Sequence, residues 1–365
     1  MKIGILTFHN SRNYGAVLQA YGLKNVLMQM GHNVEVIDYR NETILKRKTP
    51  YSLCNFFKNP IVYILKVIND YPSYKRKKIN FKVFERKYMN VTLSRFFPED
   101  IKKSDYNCLV IGSDQVWSPI ITGGPDPVYW GEYKPPKAKL ISYAASSGLP
   151  QYLETSQYEN VALWLNRFDV ISVREDWLKS YVEAHSSKEA TVVLDPTLLA
   201  GRNAFDNIAT DRLVSKPYIL LYSVEGFSNN YIKIAQKVAS LYHAEIIGID
   251  TFSILKLFRY KGNGVKFLNP NVQQLISLIK YAECVVAWSF HGTVLSMLFE
   301  KDFYSIVSEN MSRVETILSK CDLMDRIVDS DSNISLNHID YTKAKKQLEI
   351  LRKKSMQWLE NAVKQ

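Results

Sequence analysis

Hydrophobic and polar positions alternate between two rhythms along most of the chain. "KIGILTF" is a short apolar run of strand type, and after it Val17, Leu18, Leu23, Val26 and Leu27 recur at helical spacing over about 16–30. Gly31 stops that helix, and "NVEVIDY" reads as a second strand. Strand, helix and strand at this spacing predict a parallel sheet. The same rhythm returns in "NCLVIGSDQVW", with a buried strand at Cys108 to Ile111, and in "AKLISYAASSG", "FDVISVREDW" and "ATVVLDPTLL". From Pro217 it begins again, with "YILLYSV", a helix near 230–242, "AEIIGID", "VKFLN" and a helix through Leu275 to Lys280. The run Cys284 to Ala287 is then a buried strand, 288–292 a turn, and Val294, Leu295, Met297, Leu298 and Phe299 one face of a helix from Thr293.

These elements imply an α/β protein of two Rossmann-like lobes facing a cleft, with a C-terminal helix. The first lobe is expected over 1–205, the second over 216–335, with a linker near 200–215. Residues 336–365 form a charged helix expected to pack back on the first lobe. A length of 365 residues favours two cores over one. Residues 46–97 break the rhythm. Lysine and arginine crowd there against only Asp70 and Glu85, with tyrosine and phenylalanine interleaved. This insertion is either a solvated helical excursion or a basic aromatic surface for an anionic membrane or a diphosphate-linked ligand.

Charge narrows the class of partner. A formal net charge of +11 favours anions. No RNA- or DNA-binding pattern accompanies it, so nucleic acid is not expected. The four cysteines, Cys54, Cys108, Cys284 and Cys321, lie far apart without metal-ligand spacing, which points to reduced, buried thiols and to no metal. No window reaches the about 18 to 20 apolar residues of a membrane span, and the first residues do not read as a signal peptide. The expected location is cytoplasmic, with peripheral contact at the inner membrane face as the alternative use of the basic insertion.

Ligands of open parallel sheets bind beyond the carboxyl ends of the strands, and the candidate residues fall there. "FHNSRNYGAV" has one glycine where a dinucleotide loop has three, so NAD is not implied. It does place Asn13 and Tyr14 at a helix start. Asp114 and Trp117 follow another strand: the first either caps a turn or offers a carboxylate, the second is either packing or a sugar platform. Arg174 lies just past a strand, an anion ligand or a member of a local ion pair. Ser289, His291 and Gly292 sit at a strand-to-helix turn, where helix amides collect anions and glycine lets a ligand approach. His291 is accordingly a candidate proton donor or anion ligand. His9, His32, His185, His243 and His338 carry no partner pattern and are expected to be structural or exposed.

Taken in order, "NYGAVLQAYGL" (13–23), "VIGSDQVW" (110–117), "SYAASSG" (142–148), "ISVRED" (171–176), "LDPTLL" (194–199), "SFHGTVLSMLF" (289–299) and "SRVETIL" (312–318) resemble the polysaccharide pyruvyl transferase family. The resemblance spans roughly 1–330, apart from the basic insertion. It implies a fold similar to glycosyltransferase type B and transfer of pyruvate, as a ketal, from phosphoenolpyruvate to two hydroxyls of one sugar. The acceptor would belong to a polysaccharide or a lipid-diphosphate-linked precursor, and no cofactor beyond that co-substrate is implied. By the family pattern Arg174 and His291 match residues associated with donor binding or catalysis. Many members carry arginine where this chain has Ser289, and Arg313, then Arg12, are the candidates to replace it. The donor set is thus Arg174, His291, Ser289, Gly292 and Arg313; the acceptor set is Asn13, Tyr14, Asp114 and Trp117; catalysis falls to His291 and Asp114. A nucleotide-sugar glycosyltransferase of similar fold and a non-catalytic glycan-binding relative are the competing readings.

Overall fold

The structure is a computed structural model that describes residues 1–48, 60–153, 160–224, 226–249, 263–306, 312–329 and 332–364. The expectations placed on 49–59, including Cys54, lie outside the described residues. The chain divides into two compact units. One comprises Met1–Lys48, Phe84–Ala200 and Lys345–Gln365, the other Thr49–Val83 and Gly201–Ala344.

The first unit is built on six parallel strands: β1 (Lys2–Leu6), β2 (Asn33–Val36), β3 (Cys108–Ile111), β4 (Lys139–Ala145), β5 (Val170–Val173) and β6 (Ala190–Val192). Their order is β2-β1-β3-β4-β5-β6. Helix α1 (Tyr14–Gln29) connects β1 to β2, and Asn13 caps it by accepting the Gly15 N–H at 2.9 Å. Because its neighbours cover it, α1 is buried on most sides, and Gly22 is the point where it meets the backbone of Pro196: a Cβ there would fall 2.7 Å from the Pro196 carbonyl oxygen. Helix α2 (Pro60–Tyr88) runs through most of the basic insertion, and its C-terminal Phe84 and Tyr88 pack on Tyr21 of α1. Helices α3 (Asp176–His185) and α4 (Pro196–Ala200) follow β5 and β6.

The second unit carries β7 (Tyr218–Ser223), β8 (Glu245–Ile249), β9 (Val265–Leu268), β10 (Cys284–Trp288), β11 (Asp302–Ile306) and β12 (Ile327–Val328), again all parallel. The order β12-β11-β10-β7-β8-β9 is the doubly wound arrangement of dinucleotide-binding folds. Helices α5 (Asn229–Leu241), α6 (Val272–Lys280), α7 (Phe290–Leu298) and α8 (Ser312–Lys320) lie between its strands. Crossing to the second unit falls at Ala200–Gly201. Residues expected to be linker are held to α6 there, by the Lys280–Asp206 ion pair at 2.5 Å and the Ser277 hydroxyl donating to the Thr210 carbonyl at 2.7 Å.

Helix α9 (Tyr341–Lys364) closes the chain, and from Lys345 onward it belongs to the first unit. Leu359, Ala362 and Val363 are buried. Ser355 accepts the buried Leu194 N–H at 3.0 Å, and Arg352 donates through Nε to the Leu199 carbonyl at 2.8 Å. The backbone from Leu194, just before α4, to Leu199 within it therefore exchanges hydrogen bonds with a segment 153 to 161 residues later in sequence.

Candidate functional site

Each sheet has one point where the chain reverses its direction of winding, and a crevice opens there beyond the carboxyl ends of the strands. In the first sheet this point lies between β1 and β3. Thr7, just after β1, donates through its hydroxyl to the Ser113 carbonyl at 2.8 Å and accepts from the Gln19 amide at 2.8 Å, so the two loops are joined at their base. Asp114 follows with φ 79°, a left-handed conformation that aspartate tolerates better than most residues. Its carboxylate accepts the Gln115 N–H at 2.9 Å and stays partly exposed, while its carbonyl accepts the Ser146 N–H at 3.0 Å.

Buried charge collects beside this crevice. Arg174 is 5% exposed, lies 2.8 Å from Asp195 Oδ2, and donates to the Ser113 hydroxyl at 2.5 Å. Asp195 uses its other oxygen to accept the Thr197 N–H at 2.8 Å and so also caps α4. Glu175 is fully buried and accepts the Ser146 hydroxyl at 2.6 Å. The hydroxyl of Ser147, also fully buried, has no hydrogen-bond partner among the described residues. The ion-pair alternative for Arg174 is therefore realised, although with a residue twenty-one positions away rather than with its acidic neighbours.

Sequence patterning missed a second cluster at the same edge. His9 Nε2 lies 3.0 Å from Asp38 Oδ1, and Arg40 grips the same carboxylate with both Nε (2.7 Å) and Nη2 (2.6 Å). Burial would raise the Asp38 carboxyl, but the contacts with His9 and Arg40 outweigh it and hold the group well below the usual carboxylate range. The signal that could have found it is "VIDYR": an aspartate two residues after β2, at the carboxyl end of the sheet.

The remaining residues of the first unit divide plainly. Asn13 is exposed, its side chain spent on the cap of α1. Tyr14 is buried as the first residue of α1. Trp117 corrects the expectation of a sugar platform. It is 1% exposed, stacks on Trp130 at 4.8 Å between ring centroids, meets Phe168 edge-on and donates its indole N–H to the Tyr129 carbonyl. A ring so nearly buried offers no face to a ligand.

In the second sheet the reversal lies between β7 and β10, and α7 rises from the end of β10. The helix begins at Phe290, three residues before the expected Thr293, because Ser289 is extended (φ −169°) and caps it by accepting the Gly292 N–H. His291 therefore stands on the first helical turn, 8% exposed and edge-on to Phe290. Gly292 rests on β7: a Cβ there would come within 2.6 Å of Tyr222 Cδ1. Thr293 and the buried Ser305 of β11 share a hydrogen bond at 2.7 Å. Arg313, on the first turn of α8, places its guanidinium carbon 5.7 Å from the Phe290 ring centroid. The second unit thus sets the His291 ring edge-on to Phe290 and the Arg313 guanidinium over the Phe290 ring, at a helix start whose dipole favours negative charge. Arg12, the other candidate, belongs to the loop after β1 in the first unit.

A family model described as polysaccharide pyruvyl transferase matches residues 13–310, most of the chain. The chain belongs to the polysaccharide pyruvyl transferase family. The matched range takes in strands of both sheets, with Asp114, Arg174 and His291 inside it and Thr7, His9 and Arg313 outside it. No curated protein matches this family member in sequence. Among solved structures, it is similar to MnaA from S. aureus solved with UDP, at 13% identity over 97% of this chain and 90% of that one, with a TM-score of 0.50. A Listeria monocytogenes protein provisionally assigned as a UDP-N-acetylglucosamine 2-epimerase is similar at 10% identity over 98% and 89% of the two chains, also with a TM-score of 0.50. The glycosyltransferase SnogD from Streptomyces nogalater is similar at 12% identity, over 100% and 98%, with a TM-score of 0.46. At these identities the likeness is one of fold alone, and it rests on the first two of these structures.

Proposed function

We propose that this family member transfers pyruvate from phosphoenolpyruvate onto two hydroxyls of one sugar, forming a cyclic ketal and releasing phosphate. The observation that carries the reading is His291 on the first turn of α7 beside Phe290, over whose ring the Arg313 guanidinium lies, in a chain of this family. A carboxylate and a phosphate must be held together, and a helix amino terminus with an adjacent guanidinium suits both. Arg313 supplies the cation that Ser289 does not.

The chemistry asks for three things. A proton goes to C3 of the enol phosphate and makes C2 electrophilic; His291 is assigned as that donor. A sugar hydroxyl then adds to C2 and gives its proton to a general base or to solvent. Phosphate leaves with the C2–O bond, and the second hydroxyl closes the ketal, its proton passing to the phosphate or to solvent. Fixed positive charge at Arg313 offsets the negative charge gathering on the departing phosphate. The expected acceptor is a sugar of a polysaccharide or of its lipid-linked precursor. Arg174, already neutralised by Asp195, is assigned to shaping the Ser113 loop instead of binding the donor.

Thermal unfolding with phosphoenolpyruvate tests the reading directly, since a ligand selective for the native state raises the midpoint. The rise is expected to weaken in Arg313→Ala, with donor affinity down about 10- to 100-fold. His291→Ala is expected to keep binding but lose about 10²- to 10⁴-fold in phosphate release with an acceptor. A midpoint raised by nucleotide sugars and indifferent to phosphoenolpyruvate would replace the proposal with glycosyl transfer.

A further inference from the structure

Helix α2 is the least explained part of the molecule. Phe81 and Phe84 on one side are buried, and Phe84 and Tyr88 are fixed against Tyr21. The other side is open and ordered by type. Ile64, Ile68 and Tyr71 follow each other at four- and three-residue spacing, so they form one stripe, and Ile68 is 65% exposed. Continuing at the same spacing, the stripe becomes Lys75, Lys78 or Ile79, Lys82 and Arg86, with Val83 at its flank; all of these are exposed. Eight basic residues stand against two acidic ones along the 29 residues of the helix. Among the described residues no helix is long and apolar enough to cross a membrane.

An apolar stripe flanked by cations on an exposed helix fits an interface that is oily inside and anionic at its rim. We propose that α2 docks this molecule on an anionic lipid bilayer. Ile64, Ile68 and Tyr71 enter the boundary of the acyl chains, while Lys75, Lys78, Lys82 and Arg86 reach the lipid phosphates with their long side chains. The order of the stripe, apolar at one end and basic at the other, tilts the helix so that its amino-terminal half is the deeper. A polyanion in solution would be served by the basic half alone and leaves the exposed isoleucines without a role. The proposal does not depend on the identity of the donor, and its test needs no substrate.

Sedimentation of the full chain with vesicles of phosphatidylcholine, with and without phosphatidylglycerol, measures it. Binding is expected only with the anionic lipid and is expected to weaken with salt. Neutralising three lysines in K75Q/K78Q/K82Q should reduce the partition coefficient about a hundredfold, and I64E/I68E should reduce it at least about tenfold. Both sets of positions are exposed, and an unchanged thermal midpoint confirms that each variant is folded. Equal binding by the parent and either variant overturns the proposal. So does a stripe whose substitution abolishes self-association in solution while vesicle binding persists, which would mark it as a contact between copies of the chain.

Discussion

Arg174 shows why a buried arginine at a strand end cannot be read by deletion alone. Its guanidinium is 3% exposed in the side chain and its partner Asp195 is fully covered, so removing one leaves the other charged in a medium that solvates it poorly. Arg174→Ala is expected to destabilise the fold by about 3–5 kcal/mol, measured by urea unfolding. Replacing both, as Arg174→Met with Asp195→Asn, should recover a good part of that loss: the asparagine oxygen still caps Thr197, and no lone charge remains. A single variant within about 1 kcal/mol of the parent would mean that the pair is solvated, contrary to its burial. Until that control is done, lost activity in Arg174→Ala measures folding as much as chemistry. The histidines teach a related lesson. His9 is as buried as any core residue, yet the carboxylate beside it comes from Asp38, twenty-nine positions on, and no local spacing announces a contact of that range.

At the scale of elements, α7 explains the glycine that follows His291. Its first turn lies directly on the Tyr222 ring, which is 1% exposed and cannot swing away. Gly292→Ala forces a methyl group to 2.6 Å from that ring and is expected to cost about 1–3 kcal/mol of stability, visible as a lowered thermal midpoint. An unchanged midpoint would show that β7 and α7 can separate slightly without loss. Glycine was expected there for close approach of a ligand; what the structure shows is a packing role. Strands that are apolar throughout, such as Cys108–Ile111 and Cys284–Trp288, were legible because a buried parallel strand needs no alternation. Helix α9 was legible from its length and charge. The two-residue β12 is too short to carry any period, and the start of α7 was misplaced because Ser289 caps it before the first periodic apolar residue. What the pattern could suggest at the candidate site was position at strand ends. It could not supply the pairings, since Arg313 reaches Phe290 only through the fold of β11 and α8.

At the scale of the whole molecule, each unit carries its own reporter of opening. Cys108 lies in β3 within the first sheet and Cys284 in β10 within the second, both fully buried. Burial pushes the Cys108 thiol up to about 12 and raises that of Cys284 as well, so neither forms thiolate near neutral pH without exposure. In a chain with Cys54→Ser and Cys321→Ser, alkylation at each remaining site should follow the opening of its own unit, and mass spectrometry separates the two rates. If the donor binds at α7, phosphoenolpyruvate at ten times its Kd should slow labelling of Cys284 by roughly tenfold, because reactive openings are drawn from the unliganded fraction. The sheet order makes this specific: β10 is the strand whose carboxyl end carries Ser289 and His291, so its exposure requires dismantling the proposed site. Slowing at Cys108 with no change at Cys284 would move the donor to the crevice between β1 and β3, where Asp114 and the His9–Asp38–Arg40 cluster would then have to bind it.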